Sequence, residues 1–275
     1  MARSKYDSRR TTLETLRNRC NRELPLVKRW DGAAKTGAEW DNLHKVGLLR
    51  TILQNSRFAN DRQDDELWMR NGNCLVYLYS KGQSRRGPSF KLPFENLLES
   101  SCYPLIGRFL DNGPTGKSPK DLQRWFRRDP KQTIELYIPP PRFSDRKHAF
   151  LYHLATRNLF AWVFRRSLVG EHLGAALIGL LHSMHQFRSG NPDNLVDMLD
   201  YMDEEGYLDV ADQPHHAIAL LNFSETFQLE EGYFQSLSHC VGMIGRLEGC
   251  PEYKVRFSFP SFHMMLSSRI ANQLL

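Results

Sequence analysis

The chain has 275 residues, 41% hydrophobic and 25% charged, a composition that builds a sizeable core and excludes extensive disorder. Its net charge of +6 is unevenly spread: residues 1–62 carry 14 Lys and Arg against 7 Asp and Glu, residues 63–188 carry 19 against 11, and residues 189–275 carry 4 against 13. No apolar run approaches the roughly 20 residues of a membrane-crossing helix, and the leading MARSKYDSRR is polar where a secretory signal needs an apolar stretch, so a soluble intracellular protein is expected, in cytoplasm or nucleus.

In chain order, residues 1–62 mix basic and sparse apolar side chains interrupted by Pro25, Gly32 and Gly37, which reads as a basic, loosely ordered N-terminal arm. A strand is expected over 74–79, apolar enough for burial on both faces, and a second, half-exposed strand over 90–92, where Phe90 and Leu92 flank Lys91. The connection SKGQSRRGPS closes these two into a long hairpin. Phe94, Leu97 and Leu98 and then Leu105, Ile106 and Phe109 predict two short helices, with Pro104 in a first turn that tolerates it. Leu122, Trp125 and Phe126 make the buried face of a third helix. Residues 133–138 form a third strand, stopped by Pro139, Pro140 and Pro141.

Beyond the prolines the pattern is helical. Phe150, Leu151, Leu154, Leu159, Phe160 and Trp162 predict a long, largely buried helix, Leu173 to Met184 a second, and Leu195, Met198, Leu199 and Met202 a third with carboxylates outward. Two more helices are expected over 218–229 and 234–244, and a terminal one over 262–275.

The order strand, hairpin, strand, two short helices, strand, helices resembles a BTB/POZ domain. Within FKLPFENLLESSCYPLIGRF, Phe90, Leu92, Leu97, Ser101 and Tyr103 hold the places of that family's strand-to-helix stretch. LVDMLDYM and HAIALLNFSETFQLEEGYFQSLSHC resemble its later helices, with Leu220, Leu221, Glu225, Leu229 and Cys240 in comparable roles. The chain departs from the pattern at Pro93, at Asp203 and in a helical insertion near 145–190. As a whole it is similar to a fungal domain family of unknown function. The resemblance implies an α+β fold: a small BTB/POZ-like mixed sheet of three strands with a larger helical part packed on it. It implies a domain over 63–248, with Leu97 and Tyr103 buried, and a C-terminal extension over 249–275.

The motifs that carry chemistry elsewhere are incomplete here. GPTGKS at 113–118 has Asp111 where a phosphate loop needs Gly. His182 with His185, His215 with His216, and His239 with Cys240 lack the spacings of a zinc site, and neighbouring His239 and Cys240 point about 100° apart on a helix, so the imidazole is badly placed to take the thiol proton. Five scattered cysteines (Cys20, Cys74, Cys102, Cys240, Cys250) suggest neither a zinc site nor a disulfide framework. No catalytic residue, cofactor or metal is therefore assigned. Lys81, Arg85 and Arg86 in the hairpin are the candidate interaction residues, because guanidinium forks on an exposed tip suit carboxylate or phosphate partners.

The expected function is a non-catalytic protein-protein interaction module, acting as an adaptor or by homo-oligomerisation. Two alternatives stand beside it: a nucleic-acid-binding protein using the basic arm, and an enzyme with no recognisable motif.

Overall fold

The structure is a computed structural model that describes residues 64–256, apart from Arg86, Thr115, Lys117 and Asn191. The basic arm over 1–62 and the terminal helix expected over 262–275 lie outside the described residues. The chain divides into two compact units. One comprises, of the described residues, 64–170 and 179–201; the other comprises 171–178 and 202–256.

The first unit holds the sheet, whose strands are β1 (Cys74–Tyr77), β2 (Phe90–Leu92) and β3 (Ile134–Tyr137) in the order β2-β1-β3. β1 pairs antiparallel with β2 and parallel with β3, Tyr77 standing opposite Tyr137. The architecture is thus α+β with a small mixed sheet. β1 is two residues shorter than expected and alternates between buried and half-buried positions, so it is not covered on both faces. Cys74 and Val76 enter the core, while Leu75 and Tyr77 stand on the other face in line with Lys91, Glu135 and Tyr137. Gly72 leads into β1 at a point where a Cβ would lie 2.8 Å from the backbone of Lys91 and Leu92, so only glycine fits.

Asn73 ties three segments together. Its Nδ2 donates to the carbonyls of Pro130 and Gln132, and its Oδ1 accepts from the N–H of Phe94. That last bond caps helix α1 (Phe94–Glu99), whose preceding residue, Pro93, offers no side-chain cap. Helix α2 (Tyr103–Phe109) follows with Pro104 in its first turn. Leu97 is buried as expected, whereas Tyr103 is half-exposed, its hydroxyl accepting from Gln123 Nε2 at 2.6 Å. Helix α3 (Pro119–Arg128) buries Leu122 and Phe126, and Trp125 lies edge-on to Phe94 at the rim of the core.

Helix α4 (Arg146–Val163) departs most from the apolar reading. Leu151 is exposed and Phe150 and Leu154 half-buried, while His153, Thr156, Arg157 and Asn158 are buried. The stripe Ala149, His153, Thr156, Arg157 and Phe160 follows helical spacing, which places 150, 151 and 154 to its side. The polar members persist inside because most are paired: Asn158 exchanges hydrogen bonds with the backbone of Val169, and Arg157 reaches Asp64 and Glu66.

The unit boundaries fall inside helices α5 (Leu173–Phe187) and α6 (Asn194–Glu204). The second unit is built around α7 (Pro214–Thr226), which is buried on nearly every side. Helices α8 (Glu230–Gly242), α9 (Ile244–Leu247) and α10 (Pro251–Arg256) pack on it. α7 stops short of 229 because Gln228 adopts a left-handed conformation (φ 54°) and the Leu229 N–H turns back to the Ser224 carbonyl. Gly232 lets α8 approach closely, since a Cβ there would meet Ser224 Oγ at 2.6 Å.

Candidate interaction surface

Because β1 and β3 run parallel, the segments that follow them leave from the same end of the sheet. The Ile138 N–H donates to the Tyr77 carbonyl at 2.7 Å, joining the two exits. After β1 comes the basic hairpin loop. Its foot is fixed: Ser80 and Gln83 form a tight turn through Gly82 (φ 80°), and Lys81 Nζ donates to Asp111 at 2.5 Å. The same ammonium stands 5.9 Å over the Tyr137 ring. The hydrogen bond to Asp111 raises the Lys81 pKa, so the ammonium stays protonated at neutral pH.

Tyr77 and Tyr137 stack with centroids 4.6 Å apart, and both hydroxyls donate to the Glu135 carboxylate at 3.3 and 3.1 Å. Burial and that carboxylate push the Tyr77 hydroxyl up to about 12 and raise Tyr137 as well, so both remain neutral donors. This half-buried cluster is a rigid base from which the loop projects. Arg85 is exposed at the tip; Arg86 lies outside the described residues. Of the three predicted interaction residues, Lys81 is an anchor and Arg85 faces solvent.

After β3, Pro139, Pro140 and Pro141 lead to a tight turn in which Ser144 donates from N and Oγ to the Pro141 carbonyl, at 3.2 and 2.8 Å. Phe143 in this turn has φ 63° and is fully exposed. Asp145 then caps α4 by accepting from the His148 N–H. Arg142, Arg146 and Lys147 are exposed around the turn. Sequence reading saw the prolines only as a stop. The available signal was a bulky aromatic after three prolines, with no apolar partner in its own segment.

The remaining motifs are taken up structurally. Ser118 Oγ accepts from the Asp121 N–H and donates to its carboxylate, capping α3. His182 and His185 are exposed, and His185 Nδ1 sits 3.1 Å from Asn194 Nδ2. His216 Nδ1 meets the Asp209 carbonyl at 3.0 Å. Burial pushes the Cys240 thiol up to about 12, which leaves it unreactive as a nucleophile at neutral pH. Among the described residues no three metal-ligating side chains converge.

Three further polar groups, Arg188 half-buried and His153 and Glu252 buried, were missed from sequence. Arg188 lies 4.5 Å over the Trp162 ring and donates to the Ser100 carbonyl, Asn194 and Asp197. His153 is buried with neither ring nitrogen in a well-formed hydrogen bond, the Ile138 carbonyl being a weak polar contact. In the second unit, Glu252 is buried and accepts from the Gly174 N–H and Asn222 Nδ2, both at 3.3 Å, so its carboxylate caps the start of α5. Burial nevertheless holds its pKa above the ordinary carboxylate range.

Formal charge is segregated in sequence between the units. The sheet-bearing unit carries 19 Lys and Arg against 13 Asp and Glu over 64–170 and 179–201, and the helical unit 3 against 11 over 171–178 and 202–256. No helix among the described residues is long and apolar enough to cross a membrane. No curated protein and no solved structure matches the chain. Residues 195–265, which include Asn222 and Glu252, match a family described as a domain of unknown function (DUF8004).

Proposed function

We propose that this chain is a non-catalytic protein-interaction module of a fungal domain family, with a BTB/POZ-like sheet unit that presents a basic contact surface to an acidic partner. The element order supports the BTB/POZ-like reading: hairpin, two short helices, a further helix and a third strand in the same sheet. The observation that carries the interaction role is the end of that sheet, where Lys81 is spent on Asp111 so that the loop foot is rigid and the Arg85 guanidinium is offered to solvent. An exposed guanidinium on an anchored loop foot is accessible to a carboxylate and matches its planar, two-oxygen geometry. The acidic helical unit of another copy is the partner nearest to hand, and opposite net charges steer such an encounter.

Light scattering at low and high salt tests this reading. Wild type is expected to associate at low salt and dissociate at high salt. Arg85→Glu with Arg86→Glu is expected to remain monomeric while its Tm barely moves, because exposed ion pairs contribute only about 0–1 kcal/mol. Association that ignores both salt and the double substitution removes the loop from the interface.

A further inference from the structure

The turn after β3 presents an aromatic side chain that its own unit does not use. Phe143 is fully exposed in a left-handed conformation that bulky L-residues rarely adopt, so the fold gains neither burial nor backbone ease from it. The turn is held at both ends. The Ile138 N–H is bonded to Tyr77, three prolines restrict φ, Ser144 closes on Pro141, and Asp145 is fixed as the α4 cap. Arg142 precedes the aromatic and Arg146 and Lys147 follow it, all exposed, at the positive end of an 18-residue helix. The acid within the turn, Asp145, is engaged by His148 at 2.8 Å.

One apolar side chain flanked along the chain by exposed cations is a poor core for a protein interface, which needs roughly 800 Å² per partner with a desolvated apolar centre. Among the described residues of this unit, the next exposed large apolar side chain is Leu151, on α4. The same arrangement matches a lipid surface, where an apolar layer lies directly beneath an anionic one. We propose that the turn over 141–147 docks peripherally on anionic membrane, with Phe143 inserted at the acyl boundary and Arg142, Arg146 and Lys147 on the headgroups. Preorganisation of the turn lowers the entropy lost on binding.

The test is flotation of the full chain with vesicles of phosphatidylcholine alone and of phosphatidylcholine containing phosphatidylserine. Binding is expected to the anionic vesicles and to weaken with salt. Phe143→Ala is expected to reduce partitioning by about 10-fold or more, from the loss of a buried phenyl group. Arg142→Glu with Arg146→Glu is expected to weaken binding by at least about fivefold for each cation removed. Unchanged Tm in both variants shows that folding is not the cause. The proposal is overturned by absent binding, by equal binding to neutral vesicles, or by Phe143→Ala binding as wild type does. That last result marks an ion-exchange contact that nucleic acid or an acidic protein satisfies equally well. Self-association by light scattering is expected to be indifferent to Phe143→Ala, so each reading fails separately.

Discussion

Replacing Arg157 with Met is expected to destabilise the sheet-bearing unit by about 3–5 kcal/mol, the range for removing one partner from a buried ion pair. The side chain is 1% exposed and each guanidinium nitrogen has a partner: Nε donates to Asp64 at 2.9 Å, Nη2 to Glu66 at 2.7 Å, and Nη1 to the Ser167 carbonyl at 2.6 Å. Met fills much of the same volume, so the loss comes chiefly from charge. Asp64 is left nearly buried without its cation and the Ser167 carbonyl without its donor. Asp64 also caps the turn over Asp65–Leu67, so the chain entering the sheet loosens as well. For a body of this size the change lowers Tm by roughly 6–20 °C.

Arg157→Met with Asp64→Asn and Glu66→Gln is expected to recover most of that loss, because no uncompensated charge then remains inside. Chemical denaturation of the single and triple variants checks both statements. A single variant within 1 kcal/mol of wild type, or a triple variant no better than the single, would show that packing and not charge pairing holds this site.

What could be read from the sequence followed what is local. The strands at 74 and 90 declare themselves as apolar runs bounded by Ser, Gly and Pro, and Pro139 to Pro141 end the third by removing donors. The α7 core is legible because its apolar residues lie within one helix. The polar interior was not legible, because its partners are remote: Arg157 bonds a residue 93 positions away and Glu252 one 78 away, and at the surface Lys81 bonds one 30 away. Each of these looks in sequence like a solvated charge, and only the fold brings it to a complementary group. Leu151 failed in the opposite sense. It has the composition of a core position and the helical phase of a surface one, and the buried polar stripe of α4 took the inner face instead. At the candidate surface the loop itself was readable from its small and basic residues, but the anchoring of Lys81, which sets the tip apart from the foot, was not.

The two units are expected to respond to pH with opposite signs. Burial lowers the His153 pKa from 6.5 to about 4, outweighing the opposing Ile138 carbonyl. Below 6.5 the unfolded chain takes a proton that the folded unit refuses, so stability is full above that pH and falls as the solution is acidified. The slope is about 1.4 kcal/mol per pH unit, which accumulates to about 3 kcal/mol by pH 4. Glu252 behaves inversely. Its folded pKa lies above the ordinary 4.5, so the folded helical unit holds the proton more tightly than the unfolded chain. Its stability is therefore fullest below pH 4.5 and declines as pH rises from there through the raised value. Falling pH thus weakens the sheet-bearing unit from within at His153, while rising pH above 4.5 weakens the helical unit at Glu252. Urea denaturation as a function of pH resolves the two contributions when each group is removed in turn. His153→Met is expected to flatten the acid limb between pH 6.5 and 4, because thioether and imidazole occupy similar apolar space and Met does not titrate. Glu252→Gln is expected to remove the decline above pH 4.5 while keeping an acceptor for the Gly174 N–H. An acid limb that survives His153→Met unchanged would mean that the imidazole is hydrated or paired in solution, and a decline that survives Glu252→Gln would place the titrating group elsewhere.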